Sequence, residues 1–291
     1  MVAETYNPET LQLRCMEIWG GNGEFWNSIS VPGIDATAYC HPFEDDHAGG
    51  DILYVSICGA GNIARFVVAD VSGHGEQVSA MAASLRKKMR RFIGTADQSR
   101  FAVALNHEFK EMAAGGQFAT AILGTYYAPT DHLILCNAGH PPPLWYRADR
   151  DTWTILEEGR PDVVPIRSGA QAGIADLPLG VIEPTSYRQF AVPLSKGDMV
   201  VLYTDSLSEA PRPRGGILES EGLRDVAGAL PGLRPERFTR DFLDAIDRAT
   251  GGATINDDIT LLVLHHNASD PPKLSLNDRV RIFGRMIGLG A

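Results

Sequence analysis

The amino-acid sequence predicts an α+β protein, a layered α-β-β-α sandwich of two mostly antiparallel sheets flanked by paired helices. Strand-like segments come in pairs joined by short turns, as antiparallel neighbours allow. Helix-like segments come two at a time between them, which favours helices layered outside the sheets. The chain of 291 residues, 44% hydrophobic and 21% charged, is ordinary for a globular protein with one large domain and appendages, or two small domains.

The N-terminal segment, residues 1–30, is interpreted as a helical lead-in to the main domain. Residues 7–9 supply a helix-capping Asn, a Pro suited to the first helical position and an acid for the first turn. Apolar residues then recur at helical spacing as far as Trp19, and two glycines follow. The sequence therefore predicts a short amphipathic helix here.

The main domain is assigned to residues 31–266, where alternating patterns predict strands and periodic patterns predict helices. The predicted strands cover residues 51–58, 63–70, 118–127, 132–137, 144–147, 153–156, 187–192, 199–204 and 259–264. The predicted helices cover residues 76–92, a segment starting near Asp97, and residues 219–230 and 235–249.

The last segment, residues 267–291, begins with a Ser-Asp-Pro-Pro linker and continues with arginines interleaved among apolar residues. It is interpreted as a linker and a C-terminal helical tail docked on the core. A helix that binds a partner or a membrane surface is the alternative.

Charge and composition exclude several classes of function. The net charge of −10 disfavours nucleic acid as the main partner, because phosphate backbones are bound by basic side chains. No apolar run is long enough for a membrane span and the start lacks a signal peptide, so we expect a cytoplasmic protein. The four cysteines are far apart, which predicts reduced, mostly buried thiols rather than disulfides or a zinc site.

Aspartates stand at the ends of several predicted strands, namely Asp51, Asp70, Asp205, Asp257 and Asp258. Burying an acid at the end of an apolar strand is unfavourable unless a counter-charge neutralises it. Carboxylate oxygens are the ligands that Mg²⁺ and Mn²⁺ prefer. Taken singly, each aspartate could equally form a turn or cap a helix, but together they predict a divalent metal site.

Seven short motifs occur in a fixed order and resemble those of a known family. They are Gly49-Gly50-Asp51, Ala69-Asp70-Val71-Ser72-Gly73-His74-Gly75, Phe118-Ala119-Thr120-Ala121, Asn137-Ala138-Gly139-His140-Pro141-Pro142-Pro143, Leu179-Gly180, Gly197-Asp198 with Tyr203-Thr204-Asp205, and Asp257-Asp258-Ile259-Thr260. This ordered set resembles bacterial serine phosphatases of the stage II sporulation protein E group, which belong to the metal-dependent PPM protein phosphatases. The resemblance covers about residues 31–266.

The resemblance implies a centre of two Mn²⁺ or Mg²⁺ ions in a cleft between two sheets. Asp70 would bridge both ions, and the backbone carbonyl of Val71 would bind one of them. Asp205 and Asp257 would complete the first site, and Asp51 would hold the second ion through water. Two such ions can activate a water molecule for in-line attack on phosphorus, so no enzyme nucleophile is needed.

Three positions depart from the family pattern. Tyr54 stands where a second aspartate is usual, and Ser206 stands where a glycine is usual. The histidine of eukaryotic members, two residues after the bridging aspartate, is replaced by Ser72, while His74 follows two positions later. His74 could donate a proton to the leaving oxygen, or it could only shape its loop. His140, beside three prolines, is interpreted as structural.

The sequence therefore predicts a metal-dependent phosphatase acting on phosphoserine or phosphothreonine of a regulatory protein, by resemblance a STAS-domain anti-anti-sigma factor. A phosphatase-like binding module with little catalysis is one alternative, motivated by Tyr54 and Ser206. A small-molecule phosphoesterase is another. The basic run 86–91 is interpreted as the solvated face of a helix, with seating of an acidic phosphoprotein as the alternative.

Overall fold

The structure, a computed structural model, describes residues 10–11, 17–43, 48–58, 62–92, 94–95, 97–113, 116–166 and 174–269. In these residues two seven-stranded sheets pack face to face, and helices cover both outer faces. Three apolar clusters fill the spaces between the four layers. The predicted α-β-β-α sandwich is confirmed.

The first sheet carries two of the strand ends that bear aspartates. Its strands, in spatial order, are β1 (Thr10–Leu11), β3 (Phe25–Val31), β4 (Ile34–His41), β14 (Ile259–His266), β13 (Met199–Tyr203), β9 (Leu144–Arg147) and β10 (Thr152–Ile155). All neighbours are antiparallel except β1 and β3, which are parallel.

The second sheet carries the other two strand ends that bear aspartates. Its strands, in spatial order, are β11 (Val164–Ile166), β12 (Gln189–Pro193), β8 (His132–Ala138), β7 (Ala119–Tyr127), β6 (Ile63–Val71), β5 (Asp51–Cys58) and β2 (Ile18–Trp19). Every neighbouring pair is antiparallel. The central strands β5, β6 and β7 are buried on both faces because helices cover one face and the first sheet covers the other.

The helices form a pair on each outer face. On the second sheet lie α1 (Glu76–Met89) and α2 (Gln98–Met112), the latter capped by the carboxylate of Asp97, which accepts from the backbone N–H of Ser99 at 2.9 Å. The first sheet is covered by α4 (Glu219–Gly228) and α5 (Pro235–Thr250), and the short α3 (Asp205–Ser208) directly follows β13. None of the described helices is long and apolar enough to cross a membrane.

The predicted N-terminal helix is wrong for the part of the segment that the structure describes. Thr10–Leu11 and Ile18–Trp19 are short strands, the first against β3 and the second against β5. Trp19 is buried and packs edge-to-face on Phe25, with 5.0 Å between ring centroids. Sheet-edge hydrogen bonds and this aromatic packing override the helical spacing. The predicted C-terminal tail lies outside the described residues from position 270 onward.

Two full strands, β3 and β4, were not indicated by the sequence patterns. They form a hairpin whose turn contains Gly33 at a φ of 84°, a left-handed conformation that favours glycine. The inward positions of β4 include Ala36 and Ala38, whose small side chains give a weak hydrophobic alternation. The three described cysteines, Cys40, Cys58 and Cys136, are free, as predicted.

The core under α5 supplies a test of the layered packing. Phe242 is fully buried and stacks on Phe238, with 5.2 Å between ring centroids. We expect Phe242→Ala to lower the free energy of unfolding by about 3–5 kcal/mol in urea denaturation, because it leaves a cavity. The control, Val103→Ala on the exposed side of α2, should change it by less than about 0.5 kcal/mol. Equal effects of the two substitutions would contradict this packing.

Candidate metal centre at the junction of the two sheets

Asp51 and Asp70 lie side by side in the second sheet. Asp51 begins β5, Asp70 is next to last in β6, and the antiparallel register places the two residues directly opposite each other. Side chains at such positions have Cβ atoms about 4.5–5.5 Å apart and point to the same face. That face is the one packed against the first sheet, since Leu53 and Val68 on the same sides belong to the core between the sheets.

The first sheet brings its aspartates to the same junction. Asp205 follows β13 by two residues, and Asp257 and Asp258 directly precede β14. These strands are antiparallel neighbours, with Tyr203 paired to Leu261, so the end of one and the start of the other lie at the same edge. The structure therefore brings all four predicted carboxylate ligands, Asp51, Asp70, Asp205 and Asp257, to one region between the sheets.

Thr204 ties the two sheets together behind the carboxylates. Its hydroxyl donates to Oδ2 of Asp51 at 2.8 Å and accepts from the backbone N–H of Thr260 at 3.0 Å. The backbone N–H of Thr204 in turn donates to the carbonyl of Thr260 at 3.1 Å. Thr204 and Thr260 are completely buried, so these bonds fix Asp51 relative to the ends of β13 and β14.

Asp258 holds the segment that leads into β5. Its Oδ1 accepts from the backbone N–H of Phe43 at 2.7 Å, and its Oδ2 accepts from the N–H of Gly50 at 2.6 Å. A Cβ on Gly49 would lie 2.0 Å from Oδ2 of Asp258, so only glycine fits there. Because both of its oxygens already accept backbone hydrogen bonds, Asp258 positions the candidate centre, whereas Asp257 accepts such a bond on Oδ1 alone, from the N–H of Asp258 at 2.8 Å.

Val71 and the loop after it form another wall of the centre. A Cβ on Gly50 would lie 2.9 Å from the carbonyl oxygen of Val71, so glycine lets the two backbones approach closely. The loop continues through Gly73 and Gly75, at φ values of 102° and 92°, into the start of α1. No side chain caps the N-terminus of α1, which leaves the positive end of its dipole near the carboxylates.

Burial and mutual repulsion raise the pKa values of these acids. Burial is the largest cause for Asp51, followed by the charges of Asp70 and Asp258, and the result lies well above the usual aspartate pKa despite the bond from Thr204. The pKa of Asp205 is raised as well, first by burial and then by the charge of Glu209.

Asp70 is affected by more of its neighbours than the other aspartates. Burial and then the charges of Asp205, Asp257, Asp258 and Glu209 raise its pKa to about 7. The pKa of Asp257 is also raised, chiefly by burial. Asp70, on the second sheet, is thus affected by four acids that all belong to the first sheet and the helix after β13, which agrees with a position facing that sheet.

The donor set matches the chemistry of a hard divalent cation, although its ligands are not drawn together. In the described residues, no three His, Cys, Asp or Glu side chains converge on one point closely enough to form a finished ligand set. Negative charges that raise each other's pKa hold one another apart, and a divalent cation would reverse that force. Asp70, Asp205 and Asp257, with the carbonyl of Val71, could hold one ion, and Asp51 with Asp70 could hold a second.

His74 lies in the exposed loop between β6 and α1. Its charge lowers the pKa of Asp257 against the larger effect of burial, so the imidazole lies within electrostatic range of the centre. The structure thus brings His74 to the edge of the site, and its role as a proton donor stays a prediction.

His140 is buried, and its contacts support the structural interpretation. Its Nδ1 lies 2.9 Å from the hydroxyl of Thr120, the residue opposite Asp70 on β7. Asn137 accepts from its N–H at 2.7 Å and donates to its carbonyl at 2.8 Å. Burial lowers the pKa of His140 to about 3, so the imidazole is neutral and braces the loop after β8.

Two of the three departures from the family pattern, Tyr54 and Ser206, do not disturb the candidate centre. Tyr54 is three residues after Asp51 on the same strand, so it faces α1 on the opposite side of the sheet. Ser206 lies inside α3 and does not adopt the left-handed conformation for which glycine would be needed. Neither position removes a ligand or strains the backbone.

Sequence reasoning missed the supporting roles of Thr204, Asp258 and Glu209. Thr204 and Asp258 belong to the quoted motifs, but the direction of their hydrogen bonds emerges only when the two sheets are packed. Glu209 follows Asp205 by four residues, a spacing that places two side chains on the same side of a helical turn and could have revealed it.

The bond from Thr204 to Asp51 can be tested by removing one hydroxyl. Thr204→Val leaves the N–H of Thr260 and the carboxylate of Asp51 without this buried partner. We expect it to lower the free energy of unfolding by about 1–3 kcal/mol in urea denaturation. Thr239→Val is the matched control, because the buried Thr239 hydroxyl has no hydrogen-bond partner among the described residues. Equal losses of stability in Thr204→Val and Thr239→Val would contradict a stabilising bond between Thr204 and Asp51.

The raised pKa of Asp70 predicts a pH dependence of stability in metal-free protein. Its pKa is about 7 in the folded state and about 3.9 in the unfolded chain, so the folded state binds more protons between these values. Stability in EDTA should therefore fall as the pH rises from about 4 to about 7. Thermal unfolding should show a shallower fall for Asp70→Asn, and an unchanged slope would contradict the assignment.

Comparison with known proteins places these features in a family. The family model described as Stage II sporulation protein E (SpoIIE) matches residues 61–267. The phosphoserine phosphatase RsbU of Bacillus subtilis (strain 168) is 24% identical over 201 residues, which make up 69% of this chain and 55% of RsbU. The chain thus spans about half the length of that relative.

Solved structures share the fold. The structure of the RsbU and RsbW domains of a Mycobacterium tuberculosis protein superposes with a TM-score of 0.68 and 28% identity, covering 92% of this chain and 72% of that one. RsbX in complex with magnesium gives a TM-score of 0.58 at 14% identity, covering 83% and 99%, a likeness of fold alone. Since the family model spans well over half of the chain, this protein belongs to the Stage II sporulation protein E (SpoIIE) family.

Proposed function

We propose that this chain is a metal-dependent protein phosphatase that hydrolyses phosphoserine or phosphothreonine on a regulatory protein. One observation carries the proposal. Four aspartates from two different sheets lie in one region at the junction of the sheets, where burial and then the charges of neighbouring acids raise their pKa values, and a divalent cation would relieve both effects. Family membership supports the same activity.

We assign Asp70, Asp205, Asp257 and the carbonyl of Val71 to one Mn²⁺ or Mg²⁺ ion, and Asp51 with Asp70 to a second. When bound, such ions activate water and stabilise phosphoryl oxygens during in-line displacement. The two-ion count rests on the family resemblance and on the separation of Asp51 from Asp205 and Asp257 across the junction. RsbX, which shares the fold, has been solved with magnesium.

The chain's own residues orient the reaction. Thr204 and Asp258 hold Asp51 and the glycine segment before it, so the carboxylates keep their relative positions. The exposed loop at His74 and the uncapped start of α1 offer positive charge and N–H donors to an incoming phosphate. We propose that His74, in the exposed loop before α1, protonates the leaving serine or threonine oxygen; its support is that its charge reaches Asp257.

The partner is proposed to be a phosphorylated regulatory protein, and a STAS-domain anti-anti-sigma factor is the finer proposal. Its support is that the relatives include a phosphoserine phosphatase and a protein in which an RsbU domain is joined to an RsbW domain. A cytoplasmic location is part of the same proposal.

The binding-module alternative loses its two motivations, because Tyr54 faces away from the centre and Ser206 is an ordinary helical residue. Tyr54→Asp would place a charge in the apolar layer under α1 and would not add a ligand. A small-molecule phosphoesterase remains a second candidate, which hydrolysis of a metabolite panel compared with phosphopeptides separates from the first.

Activity should depend on the metal and on Asp70. The purified chain should hydrolyse p-nitrophenyl phosphate with Mn²⁺ and lose this activity in EDTA. We expect Asp70→Asn to reduce turnover by at least about a hundredfold and to weaken Mn²⁺ binding in calorimetry, because a bridging carboxylate neutralises two cations. Asp205→Asn and Asp257→Asn should act similarly, whereas Asp51→Asn should be milder and partly rescued by high Mn²⁺.

The matched control is Asp225→Asn on the exposed face of α4, which should leave turnover unchanged. Folding of each variant is checked by circular dichroism. A folded Asp70→Asn protein with near wild-type turnover would show that the centre lies elsewhere, and metal-independent activity of equal size would exclude the two-ion mechanism.

A further inference from the structure

A row of buried polar residues crosses the second sheet at the end away from the candidate metal centre. Ser56 on β5 is opposite Arg65 on β6, and Arg65 is opposite Thr125 on β7, so their side chains share the face under α1 and α2. Their residues are only 1%, 6% and 6% exposed. Oγ of Ser56, Nε of Arg65 and Oγ1 of Thr125 have no hydrogen-bond partner in the described residues.

Tyr54 adds a fourth unpartnered group on the same face. It lies two residues before Ser56, and its hydroxyl is buried without a hydrogen bond of normal geometry in the described residues, although Ser56 is close enough to lower its pKa. Unpaired buried polar groups are rare in folded proteins and unfavourable by about 1–3 kcal/mol each. Tyr54 and Ser56 interact with each other and Arg65 interacts with the thiol of Cys58, but these contacts leave donors unused on three adjacent strands, which points to something that these groups bind.

The C-terminal end of α1 brings two further cations to this place. The guanidinium of Arg86 donates to the carbonyl of Gly20 at 2.6 Å, but its Nε has no partner in the described residues. Arg90 is exposed and close enough for its charge to lower the pKa of Arg86. The charges of Arg65, Arg90 and Arg86 all act on Tyr54, lowering its pKa against the larger effect of burial. The three guanidinium groups thus lie within electrostatic range of one hydroxyl, which also interacts with Ser56.

No described acid compensates these charges. The ion pairs of α1 in the described residues join Lys88 and Arg91 to Glu108, and neither Arg65, Arg86 nor Arg90 forms one. The dipole of α1 favours cations at its C-terminal end, which accounts in part for Arg86 and Arg90. It does not account for Arg65, which lies on a strand and whose pKa is lowered chiefly by burial.

We propose that Arg65, Arg86 and Arg90, with the hydroxyls of Tyr54, Ser56 and Thr125, form a binding site for a tetrahedral oxyanion, namely a phosphate group that is either free or carried on a small molecule. The half-buried Cys58 and the exposed Arg90 mark its open side. The site is separate from the metal centre, since Arg65 precedes Asp70 by five residues on β6, about 17 Å along the strand, and faces the other side.

The donor set favours phosphate over a carboxylate. Guanidinium groups only donate, and three hydroxyls offer three more donors, so the bound group must accept from several directions. A phosphate has enough oxygens to do so and matches the planar fork of arginine. The proposal does not depend on phosphatase activity, because it concerns the opposite face of the sheet.

The test uses the full chain with the substitution Asp70→Asn, in EDTA, so that phosphate cannot bind through metal at the other site. Inorganic phosphate should raise its unfolding temperature and bind in calorimetry. Adding Arg65→Met should weaken phosphate binding by at least about tenfold, as expected for loss of a charge-assisted donor. In phosphate-free buffer the Met variant should be as stable as its parent or more so, since no unpaired cation is then buried.

A second variant and two controls complete the test. Tyr54→Phe removes only the hydroxyl and should also weaken phosphate binding, so it decides the question if the Met variant does not fold. Arg237→Met, at an exposed arginine paired with Asp241, should leave binding unchanged. Titration with AMP shows whether a phosphate group attached to a small molecule also binds at this site. Absence of phosphate binding, equal binding by Arg65→Met or Tyr54→Phe and their parent, or equal stabilisation by acetate would overturn the proposal.

Discussion

Repulsion among buried carboxylates is the constraint on which the architecture depends. Asp51 and Asp70 are neighbours on adjacent strands, and the charges of Asp205, Asp257 and Asp258 reach Asp70 from the other sheet. Repulsion between these charges disfavours packing of the two sheets against each other. Burial of the apolar layer between the sheets favours that packing. The junction is thus a place where hydrophobic burial holds like charges within electrostatic range of one another.

Several contacts of the surrounding chain hold the carboxylates of that junction in fixed relative positions. Thr204 spans the gap between the sheets with a hydroxyl that both donates and accepts, and Asp258 uses its two oxygens on backbone N–H groups. Gly49 and Gly50 allow the backbones to approach where any side chain would collide. These contacts fix positions without adding ligands. They explain why small or hydroxyl-bearing residues surround the aspartates.

The sequence predicted what depends on local periodicity and on strand ends. The helix pairs and central strands follow from alternation and capping, and the aspartates were found because acids rarely end apolar strands. The N-terminal helix failed because Ile18 and Trp19 gain more from the edge of β5 than from helical spacing. β3 and β4 were missed because Ala36 and Ala38 carry little signal. The face of β5 that Tyr54 occupies could have been predicted from the two-residue period of a strand but was not, and its arginine neighbours required tertiary packing.

Strand β6 contributes to two clusters of like charge, one on each of its faces. Asp70 faces the other sheet among acids, and Arg65 faces α1 among cations. At about 17 Å and an effective dielectric constant of about 20, unit charges attract by only about 1 kcal/mol, and salt reduces this further. Neither cluster can therefore neutralise the other, despite lying on one strand. Each cluster would be neutralised by the counter-ion proposed for it, a cation on one face and an anion on the other, and the strand between them keeps the two sites apart.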